Sequence, residues 1–240
     1  MNIRLFTIPN CVTLCNLLCG SAAAVMALVH HDLPAAFALV IAAAVFDFLD
    51  GFSARLLKSY SGIGVELDSL ADMVSFGFAP AAILFTLFGS SESRWEWSET
   101  ARAAGAWVPF LITAFSALRL AKFNVDDSQH TEFQGLTTTA NAMFCASLGW
   151  LSAEGEITLS TETILLIAPV MSWLLVSPVR MFSFKFERFG WRGNELRYLF
   201  AVVALVLLGL LKGAAIPVII LLYIIVSTVR WIGGRKSVKP

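Results

Sequence analysis

The sequence predicts an all-α integral membrane protein of about eight transmembrane helices, with both termini cytoplasmic. Three observations carry that prediction. Hydrophobic residues fill 58% of the 240 positions, charged residues only 14%, and the mean hydropathy is +0.76. A soluble domain is roughly 45–50% apolar and about 25% charged, and its surface has no room for such an excess. The same composition excludes disorder, which needs few apolar residues and much charge. Second, apolar stretches of bilayer length recur along the whole chain, since a hydrocarbon core of about 30 Å takes roughly 17–25 residues of helix. Third, the basic residues fall on one side of the resulting topology.

The predicted spans run approximately 10–29, 35–57, 65–88, 104–121, 137–153, 162–179, 197–211 and 214–231. Arg4 before the first apolar run has the look of a signal peptide, but the run is too long and ends in no cleavage site. With the N-terminus inside, only Arg94, Arg102 and Lys212 of the 17 Lys and Arg face outward. The positive-inside rule therefore orients the chain, and removing any one span would mix the two groups. Cys11, Cys15 and Cys19 form one stripe of the first span and are expected to pack there without disulfides, because a thiolate metal site lacks a fourth ligand. His30 and His31 are read as solvated in a short outer loop. Trp95, Trp97 and Trp107 are assigned to the outer interface. Met181–Arg197, where Phe182, Phe184, Phe186, Phe189 and Trp191 mix with Lys185, Arg188 and Arg192, is assigned to the inner headgroup boundary. With a net charge of zero there is no case for nucleic-acid binding. The chain reads as one membrane domain over 1–240, in which 186–240 adds a basic interfacial segment and two further spans.

Against this apolar background four carboxylates stand out. Asp47 and Asp50 lie near the inner end of the second span, Asp68 and Asp72 near the inner start of the third. An ionised group inside a span costs about 2.5–3.5 kcal/mol on insertion scales and usually marks function. At 100° per residue, Asp47, Asp50, Gly51, Ala54 and Arg55 share one side of a helix, and Gly64, Asp68 and Asp72 form a second stripe. The connection around Lys58, Ser59, Ser61 and Gly62 is short, which predicts antiparallel neighbours with all four carboxylates converging at the cytoplasmic rim. Such crowding calls for cations between the groups, and oxygen-only ligands suit two Mg²⁺ or Mn²⁺ ions. Glu66 points elsewhere. Gly51 and Ala54 leave a shallow floor, and the Arg55 fork suits phosphate. Together these residues describe a diphosphate site.

The pattern Asp47-x-x-Asp50-Gly51-x-x-Ala54-Arg55, eight residues, Gly64-x-x-x-Asp68-x-x-x-Asp72 resembles the signature of the CDP-alcohol phosphotransferases at every fixed position. Further stretches, Ile8-Pro9-Asn10, Thr13, Asn16-Leu17, Cys19-Gly20, Leu67–Pro80, Arg119–Asn124 and Ser177–Lys185, resemble the bacterial and archaeal phosphatidylserine synthases of that family. The likeness covers residues 6–185. It implies the family's membrane fold, a two-metal centre at Asp47, Asp50, Asp68 and Asp72, and a CDP site lined by Asp50, Gly51, Ala54, Arg55 and Gly64. It also implies CDP-diacylglycerol and L-serine as substrates and a homodimer in the cytoplasmic membrane. One departure is Thr137 and Thr139, where those enzymes usually carry proline.

Within that resemblance Asp72 is the expected general base. Arg119 is expected to bind the serine carboxylate, with Asn124, Thr138 and Asn141 as further acceptor contacts, and Asn10 and Asn16 serving the site from the first span. Three alternatives stay open: another acceptor (glycerol 3-phosphate, inositol phosphate or choline), a cation or proton transporter, or carboxylates that merely pair with Arg55 and Lys58.

Overall fold

The computed structural model describes residues 5–59, 61–125, 133–182, 190 and 194–236. Its helices are α1 (Ile8–Leu28), α2 (Leu33–Leu56), α3 (Gly62–Asp72), α4 (Ala79–Ser90), α5 (Glu99–Gly105), α6 (Leu111–Val125), α7 (Thr138–Ala153), α8 (Thr161–Val176), α9 (Glu195–Leu211) and α10 (Ala215–Lys236). Most begin on a side-chain cap that satisfies an orphan N–H. Thr7 accepts from Asn10 N, Asp32 from Ala35 N, Ser61 from Gly64 N, Thr137 from Ala140 N and Ser160 from Thr163 N. The first helix is thus capped by Thr7, and Asn10 is left with its side chain donating to Leu5 O at 2.8 Å.

Among the described residues, five helical stretches are long and apolar enough to cross a membrane: Ile8–Leu28, Leu33–Leu56, Gly62–Ser90, Glu99–Val125 and Glu195–Gly233. Thr161–Val176 is apolar but shorter, and α7 also has 16 residues. The 39-residue stretch at the C-terminus reverses at Lys212, where φ is +48°, so α9 and α10 pack on each other as a hairpin.

The third stretch is the most buried of the five. It is continuous from Gly62 to Ser90, but Met73–Phe78 between α3 and α4 is a π-helix. Pro80 has no N–H to offer the turn before it, and Ala79 N reaches Val74 O, five residues back. Local widening of this kind recurs beside functional sites. It also sets the fit to α1. Gly20 lies so close to Ser75 that a Cβ there would sit 2.4 Å from the Ser75 Cα, and Ser75 Oγ donates to Asn16 O at 3.0 Å.

The core runs through α1, α2, the π-helix, α4, α6, α7 and α8, with Phe76, Ile83, Leu84, Phe88, Ile112 and Ile164 among its fully enclosed side chains. Only Cys19 of the cysteine stripe packs against it. Cys11 is exposed, and all four cysteines are free thiols. A two-stranded antiparallel ribbon joins β1 (Phe133–Gln134) to β2 (Arg180–Met181), with Phe133 opposite Met181 and Gln134 opposite Arg180. Trp95 and Trp107 are exposed, and Trp97 Nε1 donates to Glu162 at the start of α8. Of the aromatic and basic segment at 181–197, residues 183–189 and 191–193 lie outside the described residues.

Candidate active site

The short α2–α3 connection predicts direct neighbours, and here the fold corrects the sequence. α1 packs against both α2 and α3, whereas α2 and α3 make few close backbone contacts with each other. From these two helices, Asp47, Asp50 and Asp68 present carboxylate oxygens that all lie within 4.8 Å of one another. Glu66 is exposed and takes no part.

Three carboxylates at that spacing repel one another by roughly 3 kcal/mol per ionised pair at an effective dielectric of about 20. Among the described residues no ion pair joins them to Arg55 or Lys58. Asp50 Oδ2 and Asp68 Oδ1 are buried without any hydrogen-bond partner. Buried oxygens of this charge normally find a donor or a cation. Orphaned, convergent and all-oxygen, the trio fits a hard divalent ion.

Asp72 stands one helical turn further along than Asp68, about 6 Å up the axis, and falls outside that trio. Its Oδ1 accepts from Asn16 Nδ2 at 3.2 Å. Asn16 is fully buried, and its own Oδ1 is left without a donor. The first span therefore does reach the site, through a stripe of buried polar residues, Asn10, Thr13 and Asn16, spaced three apart.

Two cavities meet at this cluster. The first, about 280 Å³, is lined by Pro9, Asn10, Thr13, Asp50, Gly51, Ala54, Arg55, Ser59, Ser61, Gly64, Val65 and Asp68. Every residue assigned to CDP from the sequence lies on it. Its floor is shallow because a Cβ on Gly51 would meet nothing within 4 Å, and one on Gly64 only Ser61 Oγ and Asn10 Oδ1. The second, about 310 Å³, is lined by Asp47, Val65, Asp68, Ser69, Asp72, Arg119, Leu120, Phe123, Asn124, Thr137, Thr138 and Thr139. Asp68 and Val65 are common to both walls.

The acceptor candidates largely assemble on the second cavity. Arg119 faces it from α6 with Nε buried and unpartnered. Asn124 is held by Ser69, its Nδ2 donating to Ser69 Oγ at 2.9 Å. Thr138 is buried on the wall between Thr137 and Thr139. Asn141 is the exception: it is fully buried on α7 with neither amide atom bonded, yet it does not line the cavity. Sequence reasoning missed Thr13, Ser69, Thr137 and Thr139 as wall residues. Thr13 had a signal, the three-residue polar spacing in an otherwise apolar helix. The two threonines were marked only as a departure from the relatives' prolines, and Ser69 had no signal, because only the approach of α6 to α3 gives it a site to face.

The chain is similar to several known proteins. A Helicobacter pylori (strain J99) protein named CDP-diacylglycerol–serine O-phosphatidyltransferase is 31% identical over 236 residues, 95% of this chain and 92% of its own length. A Bacillus subtilis protein of the same name is 30% identical over 178 residues, 74% of this chain and 91% of its own. A Mycobacterium bovis protein, again so named, is 37% identical over 149 residues, 59% of this chain and 48% of its own. Residues 6–180 match the family model for CDP-alcohol phosphatidyltransferase, and the chain belongs to that family.

Proposed function

We propose that the chain transfers the phosphatidyl group of CDP-diacylglycerol to the hydroxyl of L-serine, giving phosphatidylserine and CMP. One observation carries the reading: two cavities of different chemistry share a single carboxylate wall at Asp68. A shallow, arginine-edged cavity suits a nucleotide diphosphate. A side-chain-lined cavity holding an arginine and several hydroxyls suits a small zwitterion. The carboxylates between them mark where the two substrates would meet.

Asp47, Asp50, Asp68 and Asp72 would hold two Mg²⁺ or Mn²⁺ ions, which when bound neutralise the diphosphate and stabilise the departing CMP. Gly51, Ala54 and Gly64 let the CDP head approach the backbone, and Arg55 takes a phosphate oxygen. Arg119 pairs with the serine carboxylate and aims the hydroxyl. The hydroxyl oxygen bonds to the lipid-linked phosphorus, the bond from that phosphorus to the CMP oxygen breaks, and Asp72 accepts the hydroxyl proton. Asn16, hydrogen-bonded to Asp72, orients that carboxylate.

The same reading places the site at the cytoplasmic face of the cell membrane, with eight spans, both termini inside and two copies of the chain together. In it, α7 and α8 cross as short helices packed within the bundle, and α9 and α10 cross as a hairpin. The test is an acceptor competition with labelled CDP-diacylglycerol and the purified full chain. L-serine should drive CMP release and yield phosphatidylserine. If serine adds nothing while glycerol 3-phosphate, inositol phosphate or choline does, the acceptor assignment is wrong.

A further inference from the structure

We propose that Tyr223, on the last helix and beyond the segment matched to the family, is a positioning residue for the acceptor cavity. The inference rests on the acceptor reading above and adds a part of the chain that reading leaves idle.

Tyr223 Oη donates to Phe182 O at 2.8 Å, and its ring packs edge-on against Phe182 with centroids 4.8 Å apart. Phe200 on α9 closes a three-ring cluster, 5.4 Å from Phe182 and 6.0 Å from Tyr223. Phe182 is the residue that follows β2, and it is 2% exposed. The C-terminal hairpin therefore grips one end of the ribbon.

The other end of the ribbon leads directly into the cavity wall. Past β1, Gly135 N donates to Val179 O and Leu136 N to Leu174 O, both at 2.9 Å. Gly135 sits at φ +75°, and a Cβ there would come within 2.4 Å of Leu175 O, so this approach tolerates only glycine. The next three residues, Thr137–Thr139, line the acceptor cavity. Lys122 Nζ donates to Gln134 Oε1 at 3.0 Å, tying the ribbon to the helix that carries Arg119. A single hydrogen bond on α10 thus bears on both the threonine and the arginine sides of the cavity. The nucleotide cavity is walled instead by α1, α2, α3 and the connection between the last two, and shares only Val65 and Asp68 with the acceptor cavity.

Tyr223→Phe removes the donor and keeps the rings, so the cluster should still pack. With the full chain in detergent or vesicles, KM for serine should rise about fivefold, the effect of one lost hydrogen bond. The kcat should stay within about twofold and KM for CDP-diacylglycerol should not move. Hydrogen exchange at the Gly135 and Leu136 amides should accelerate. Unchanged exchange would overturn the grip of α10 on the ribbon. Faster exchange with an unmoved serine KM would overturn the positioning role, as would equal rises in both KM values. Wild-type protein that releases no CMP with serine would instead overturn the acceptor assignment. The same split is then read against the alcohol that the wild type does use, and the exchange result stands independently.

Discussion

The two cavities that share Asp68 are built on opposite plans. The nucleotide cavity is made by what is missing: Gly51, Ala54 and Gly64 hold side chains away from one wall, and Arg55 is the one long polar group at its edge. The acceptor cavity is made by what is supplied, with Arg119, Asn124 and Thr137–Thr139 brought in from α6 and α7. A ligand met by backbone and a shallow floor is sensitive to added atoms. A ligand met by directed side chains is sensitive to removed ones. The shared wall should be sensitive to both, and the expected effects order themselves accordingly.

The largest effect belongs to that wall. Asp68→Asn keeps the shape and removes the charge, so the protein should still fold into membranes while CMP release falls by a factor of about 10³ or more, the range set by losing a principal electrostatic stabiliser. Chelation by EDTA should silence the wild type, and Mg²⁺ or Mn²⁺ should restore it. Near-normal turnover in either experiment would detach the carboxylate trio from the chemistry and leave the two cavities unrelated.

Arg119→Lys comes next and tests the supplied side of the comparison. The charge is kept, but the planar fork that fits a carboxylate bidentately is lost. KM for serine should rise about thirtyfold, with KM for CDP-diacylglycerol unchanged, in initial-rate measurements that vary each substrate separately. A rise confined to CDP-diacylglycerol would place Arg119 on the nucleotide and break the division of labour.

These two cavities were not equally legible in the sequence, for a physical reason. The nucleotide wall comes from positions on single helices, where a period of 3.6 converts spacing into a shared face. Asp50, Gly51, Ala54 and Arg55 could therefore be placed together, as could Gly64 and Asp68. The same rule put Asp72 one turn beyond Asp68 on its stripe but could not say that only Asp68 of the two would converge with Asp47 and Asp50. It also could not see that α1 rather than α2 would be the close neighbour of α3, because the polar stripe of Asn10, Thr13 and Asn16 acquires meaning only when it is packed. The acceptor wall is drawn from α3, α6 and α7, and no local period links Ser69 to Asn124 or Arg119 to Thr138. The π-helix at Met73–Phe78 was equally hidden: Pro80 marks a break in the register, but Gly20 against Ser75 decides how the backbone accommodates it. The all-α membrane character was legible because composition alone sets it. The helix pair at the C-terminus was legible only as apolar lengths, and its grip on Phe182 was not.

The smallest effect is the one that most cleanly separates stability from binding. At Gly51 an added Cβ meets nothing within 4 Å, so Gly51→Ala introduces no clash in the folded protein. Gly51 lies inside α2, where alanine is the better helix former by roughly 0.5–1 kcal/mol. The variant should therefore be at least as resistant to thermal unfolding as the wild type. Its methyl group nevertheless projects into the nucleotide cavity, where a diphosphate would need the backbone exposed. KM for CDP-diacylglycerol should rise about tenfold while KM for serine stays put, the mirror image of Arg119→Lys. If the methyl group is accommodated with no change in either KM, the shallow floor is incidental and the nucleotide is held by Arg55 and the carboxylates alone. A loss of stability instead would mean that Gly51 serves packing. The open space around its Cα argues against that outcome.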